Sequence, residues 1–62
     1  MVTDVDKENV AKATQCADLL SADLRAVAAS KNASLAELGE EALALMMSMQ
    51  KTLMQLEALA SE

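Results

Sequence analysis

The methionines in the second half of the chain are the side chains with the most options for chemistry. Met46, Met47 and Met49 lie within about one helical turn, and Met54 follows shortly after them. Flexible, polarisable thioethers can fill a helical core, form an adaptable surface for partner helices, or bind Cu(I) as soft ligands. Met46 and Met49 fall on a regular apolar row, which favours a core role. Met47 and Met54 lie at the edge of that row and are better placed to contact a partner.

Cys16 is the only thiol, and the sequence contains no histidine that could activate it. We interpret it either as a redox-sensitive or intermolecular thiol or as a small buried hydrophobe. One glycine is too few for a phosphate-binding loop, and the chain lacks the ligands of a structural zinc site. Only carboxylates remain for acid–base chemistry, so we expect no enzyme, no cofactor and no metal. A small Cu(I) carrier that uses the methionines stays open as an alternative.

The charge of the chain argues against a nucleic-acid partner. Ten acidic and five basic residues give a net charge of −5, and there are no aromatic rings. Binding of nucleic acids normally requires a basic patch and aromatic side chains that stack on bases. Glu37, Glu40 and Glu41 form an acidic cluster near the start of the second predicted helix. Acidic side chains are favoured there by the helix dipole, or the cluster binds a cation or a basic partner.

The apolar residues are too dispersed to span a membrane. The longest uninterrupted apolar run, Ala42 to Met47, is six residues long, whereas a transmembrane helix needs about 20. Residues 1–8 are acidic and lack the basic and apolar regions of a signal peptide. A single cysteine cannot form an internal disulfide. These features predict a cytoplasmic protein without a membrane partner.

Residues from about 5 to 31 are predicted to form the first helix. Thr3 or Asp4 can cap its start, alanine is frequent, and no residue in this stretch breaks a helix. Apolar residues recur at alternating intervals of three and four, which defines a narrow heptad row. This row is predicted to form the hairpin core and consists of Val10, Ala13, Ala17, Leu20, Leu24 and Val27.

Residues 32–34 are predicted to form a turn, because a stop signal and a start signal meet there. Asn32 suits the left-handed conformation that often follows a helix. Ser34 and Glu37 form the S-x-x-E pattern of a capping box. A linker this short between two helices predicts an antiparallel helical hairpin.

The second helix is predicted from about residue 35 to 60 and is more apolar than the first. Leucines and methionines flank both sides of its uninterrupted heptad row, which consists of Leu35, Gly39, Ala42, Met46, Met49, Leu53, Leu56 and Ala60. A helix this apolar is normally buried on several sides. Gly39 lies on this row. Either another backbone approaches closely at this position, or the glycine is merely tolerated in the first turns of the helix. The residues predicted to form a protein interface are Leu35, Leu38, Gly39, Ala42, Leu45, Met46, Met47, Met49, Leu53, Met54, Leu56 and Leu59.

The length of the chain limits how this apolar surface can be covered. The 62 residues make a single domain, and chains below about 70 residues usually need a disulfide, a metal or a second chain for stability. The narrow first helix cannot cover the second. We therefore predict an all-α fold in which two hairpins pair as a homodimer and form a four-helix bundle, with the second helices at the centre of the interface.

The size and layout resemble two groups of helical hairpins. The plasmid copy-control Rop proteins dimerise into four-helix bundles, but this chain lacks the basic and aromatic residues that an RNA-binding face needs. The small acidic co-chaperones of type III secretion needle subunits hold a helix of a partner protein. The predicted function is non-catalytic: a self-associating hairpin that acts as an adaptor, an anti-activator or a small chaperone. The alternative is an obligate heteromeric subunit that binds an apolar helix of another protein, such as a needle co-chaperone or an antitoxin.

Overall fold

Two long helices, packed side by side, make up most of the chain. A computed structural model describes residues 1–61, in which α1 spans Asp4–Ala28 and α2 spans Ala33–Ala60. The two helices pack against each other along their length, which confirms the predicted all-α hairpin. Glu62, which the predicted domain includes, lies outside the described residues.

The start of α1 is fixed by a reciprocal pair of hydrogen bonds. Thr3 is the N-cap, and its hydroxyl accepts from the backbone N–H of Asp6 at 3.0 Å. The Asp6 carboxylate accepts in return from the backbone N–H of Thr3 at 3.0 Å. This backbone bond, followed by the Thr3 side chain, holds the pKa of Asp6 below its usual value. Of the two caps that the sequence allows, Thr3 is therefore the one used.

The turn is built differently from the sequence prediction. The first helix ends at Ala28 rather than near Lys31, and α2 begins at Ala33. Asn32 does not adopt the left-handed conformation, since its φ is −78°, and it is the N-cap of α2 instead. Its side-chain oxygen accepts from the backbone N–H of Leu35 at 3.0 Å. Asparagine is among the best N-cap residues, so it takes the place that the capping-box pattern gave to Ser34.

The apolar contact between the helices is narrow. Met46 and Leu53 of α2 are 3% and 9% exposed, and Ala17 of α1 packs with them at 6%. Leu24 is half-buried against this cluster. Gly39 is buried as well, close to the backbone of Ala28. Each helix therefore contributes a single row of small or slender side chains to the contact.

The same contact contains polar pairs. Ser21 is 3% exposed, and its hydroxyl accepts from Gln50 Nε2 at 3.0 Å. Two turns towards the open end, Thr14 Oγ1 donates to Glu57 Oε1 at 3.0 Å. Because the residue numbers on one helix fall as those on the other rise, these pairs also fix the antiparallel register of the hairpin.

The hairpin core therefore differs from the apolar row predicted on the first helix. Of the six predicted core residues, Ala17 is buried, Val10 and Leu24 are half-buried, and Ala13, Leu20 and Val27 are exposed. Their neighbours Thr14, Ser21 and Ala28 are the ones that turn inward. One residue corresponds to about 100° around a helix, so the row facing α2 is rotated by about half that angle from the predicted row.

Candidate protein interface

On the side of α2 next to the hairpin contact, large apolar side chains are exposed to solvent. Leu45 is 73% exposed and Met49 is 54% exposed, although both lie in the middle of the helix. The exposed side chains recur at heptad spacing in two adjacent rows, which places them along one side of α2. The first row consists of Leu35, the half-buried Ala42, Met49 and Leu56, and the second contains Leu38, Leu45 and Leu59, with the polar Thr52 between the last two.

The exposed residues of α1 extend this surface on the other helix. A groove near the open end is lined by Asp6 and Asn9 of α1 together with Leu56 and Leu59 of α2, so these four residues lie on one side of the hairpin. Ala13, Leu20 and Val27 follow Asp6 at intervals of seven residues, and heptad spacing keeps them on that side. Val27 Cγ1 lies close to Gly39 of α2, as this arrangement requires.

These residues lie on one side of the hairpin, which we call the apolar face. It extends across both helices and along most of their length. Its members are Ala13, Leu20 and Val27 of α1 and Leu35, Leu38, Ala42, Leu45, Met49, Leu56 and Leu59 of α2. Large groups of exposed apolar side chains on one side of a soluble protein typically mark interaction sites.

Five residues predicted for the interface lie away from the apolar face. Gly39, Met46 and Leu53 are buried inside the hairpin, where they contact α1 and present little surface to another chain. Met47 and Met54 are 63% and 69% exposed, but they lie on the opposite side of the hairpin from the apolar face. Met54 lines a groove there together with Asp18 of α1, and Met47 precedes Met54 by one heptad.

The methionines consequently do not converge on one point. Met46 is buried, Met49 belongs to the apolar face, and Met47 and Met54 belong to the other side of α2. This distribution does not assemble the soft-ligand cluster that the Cu(I) alternative requires. Within residues 1–61, no group of three or more His, Cys, Asp or Glu side chains is placed to hold a metal ion.

Charged side chains lie around the hairpin and leave the apolar face almost free of them. Lys12 Nζ and Glu8 Oε1 form an ion pair at 3.2 Å on the outer side of α1, and this is the only ion pair within the described part of the chain. Cys16 is exposed as a free thiol. It follows Asn9 by one heptad, which places it on the α1 edge of the apolar face.

Comparison with known proteins does not indicate a function, so the functional argument depends on the surfaces of the hairpin. The chain matches no protein-family model, and searches of curated proteins and of solved structures give no match. In the part of the chain that the structure describes, neither helix has the length and hydropathy required to cross a membrane.

Proposed function

We propose that this protein is a non-catalytic interaction protein whose apolar face pairs with the apolar face of a second copy. Two hairpins stacked in this way form a four-helix bundle, and the dimer acts as an adaptor, an anti-activator or a small chaperone. The observation that carries the proposal is the apolar face itself, which both helices build and whose leucine, valine and methionine side chains are exposed within residues 1–61.

The direction of the two apolar rows supports a bundle. In a square bundle, the central axis lies about 45° away from the line that joins two neighbouring helices. On each helix, the centre of the predicted apolar row is rotated about the helix axis by roughly 50° from the centre of the row that contacts the other helix. This rotation is half of the roughly 100° that separates successive residues. Both rows are turned towards the apolar face, so they point to the axis that four helices would share.

The accessible surface supports a second chain of similar size. The hairpin exposes 4867 Å², whereas a folded monomer of 6.5 kDa exposes about 3,800 Å² by the usual size scaling. The excess of about 1,000 Å² is close to the roughly 800 Å² that each partner buries in a stable interface. A second copy matches both this area and the self-complementary character of an apolar face.

Leu19 and Leu20 provide a matched test of this proposal. They are adjacent and are 63% and 48% exposed, but only Leu20 lies on the apolar face, while Leu19 points to the outer side of α1. We expect the wild type and Leu19→Asp to sediment as dimers at about 50 µM, and Leu20→Asp to weaken dimerisation by at least about 100-fold, because it places a charge in a desolvated interface.

Sedimentation equilibrium measures the mass, and circular dichroism checks that each variant is helical. A monomeric, helical wild type would refute self-association. If that monomer gained mass only with another co-expressed protein, the obligate heteromeric subunit would replace the homodimer as the proposed function. Equal effects of the two aspartate variants would refute the assignment of the interface to the apolar face.

A further inference from the structure

The side of the hairpin opposite the apolar face carries a groove between the two helices, which we call the Met54 groove. It has a volume of about 220 Å³ and is lined by Ala17, Leu53 and Met54 as its apolar part. Asp18 of α1 and Glu57 of α2 line it as well. An apolar floor next to two carboxylates suits a partner side chain with an aliphatic stem and a cationic head, such as arginine or lysine.

Neither carboxylate of this groove is in an ion pair within the described residues. The ion pair within residues 1–61 joins Lys12 to Glu8, on the outer side of α1. Glu57 accepts a hydrogen bond from the neutral Thr14 hydroxyl. These two carboxylates are therefore in no ion pair within residues 1–61, and the net charge of −5 adds to their negative potential. Arg25, one heptad from Asp18, and Lys51, between Met47 and Met54, lie on the same side of the hairpin but do not line the groove.

The apolar part of this side has the spacing of a helix-binding surface. Met47 and Met54 are both exposed and are separated by seven residues, or about 10.5 Å along α2. Two successive core positions of a packed helix have the same separation. Flexible methionines also adapt to partners of varied shape.

We propose that the Met54 groove docks a basic amphipathic helix of another protein. The apolar residues of that helix contact Met47 and Met54, and its arginine or lysine side chains reach Asp18 and Glu57. A second copy of this chain does not fit the groove, because its basic residues are scattered and its net charge is also negative. The inference rests on the proposed function in one respect only: a dimer paired through its apolar faces exposes two such grooves, so it binds two helices.

The test uses the full chain and a synthetic amphipathic helix of about 18 residues with leucine on one side and arginine on the other. A second peptide has glutamate in place of arginine. The methionine methyl groups, labelled with ¹³C, report where the peptide binds. Met47 and Met54 report on the groove, whereas Met49 reports on the apolar face.

We expect the arginine peptide to shift the Met47 and Met54 signals saturably and to leave Met49 unchanged, and the glutamate peptide to have no effect. The variant Asp18→Asn/Glu57→Gln removes both carboxylates of the groove and should weaken binding by about tenfold. Binding is measured at low salt, because about 0.1 M salt screens interactions between charges more than about 10 Å apart. Glu37→Gln/Glu41→Gln makes the same change in net charge outside the groove and should weaken binding by about twofold or less.

Three results would overturn the inference. A shift of Met49 without Met54 would place the peptide on the apolar face. Equal weakening in the two charge variants would show attraction to the overall charge rather than docking, and the absence of any saturable shift would show that the groove binds no basic helix. Sedimentation of the same samples reports dimerisation separately, so a monomer that still binds the peptide at Met54 would refute the proposed homodimer and leave this inference intact.

Discussion

At the scale of single residues, Gly39 determines how closely α1 and α2 can approach. A Cβ atom on Gly39 would lie 2.8 Å from the backbone nitrogen of Ala28, 3.1 Å from its Cα, and 2.9 Å from Val27 Cγ1. The Val27 side chain can move, but the backbone of α1 can yield only if the helix shifts. The sequence left open whether this glycine marks a close approach, and the structure shows that it does, with the backbone of the same chain.

We therefore expect Gly39→Ala to lower the free energy of unfolding by up to about 2 kcal/mol. Overpacking costs about 1–3 kcal/mol, and the gain of about 1 kcal/mol that alanine brings in helix propensity offsets part of this cost. Urea unfolding followed by circular dichroism at one protein concentration measures the change. Ala44→Gly, at an exposed position of α2, is the control and should cost about 1 kcal/mol through propensity alone. A more stable Gly39→Ala variant would contradict the close approach.

At the scale of the helices, the pair formed by Ser21 and Gln50 holds α1 in its rotational position. Turning α1 by half a residue step would bury Leu20 and Val27 against α2, but it would remove Ser21 from its hydrogen bond with Gln50. A buried polar group that loses its partner costs about 1–3 kcal/mol. The observed rotation satisfies these polar groups and leaves the leucine and valine on the apolar face.

A double-mutant cycle with Ser21→Ala and Gln50→Ala should give a coupling free energy of about 0.5–1.5 kcal/mol. The control is the matching cycle with Thr14→Ala and Glu57→Ala, whose hydrogen bond is at the exposed end of the contact. Its coupling should be smaller, because water replaces the lost partner. Urea unfolding of each set of variants gives both values. A coupling near zero for Ser21 and Gln50 would show that this pair does not fix the rotation of α1.

Local patterns predict the two helices and their hairpin, but not how each helix is turned. Alanine content, the absence of proline and the signals around Asn32 depend on near neighbours in the sequence, so they locate the helices to within a few residues. Heptad spacing also finds the apolar row that contains Leu20 and Val27. It does not say which neighbour that row faces, because Thr14 and Ser21 become good contact residues only when Glu57 and Gln50 lie opposite them. Asn32 could likewise end one helix or begin the next.

At the scale of the whole molecule, the hairpin is a single layer. Its principal dimensions are 47 × 15 × 10 Å and its radius of gyration is 14.3 Å, compared with about 10.6 Å for a compact chain of this length. A single layer of two helices has no enclosed interior, which explains why so few side chains are buried. Stacking a second layer on the apolar face would give Leu20, Met49 and Leu56 a core to occupy.

If two layers fold together in this way, stability must depend on protein concentration. Each tenfold increase in concentration favours the folded dimer by about 1.4 kcal/mol by mass action, which raises the urea midpoint by roughly 0.5–1 M for a dimer of this size. Circular dichroism at about 1, 10 and 100 µM measures this shift. Leu20→Asp should lose the dependence on concentration and Leu19→Asp should keep it, since only Leu20 lies between the layers. A wild-type midpoint that stays constant over this range would mean that the apolar face is uncovered in the folded state, and the proposed homodimer would be wrong.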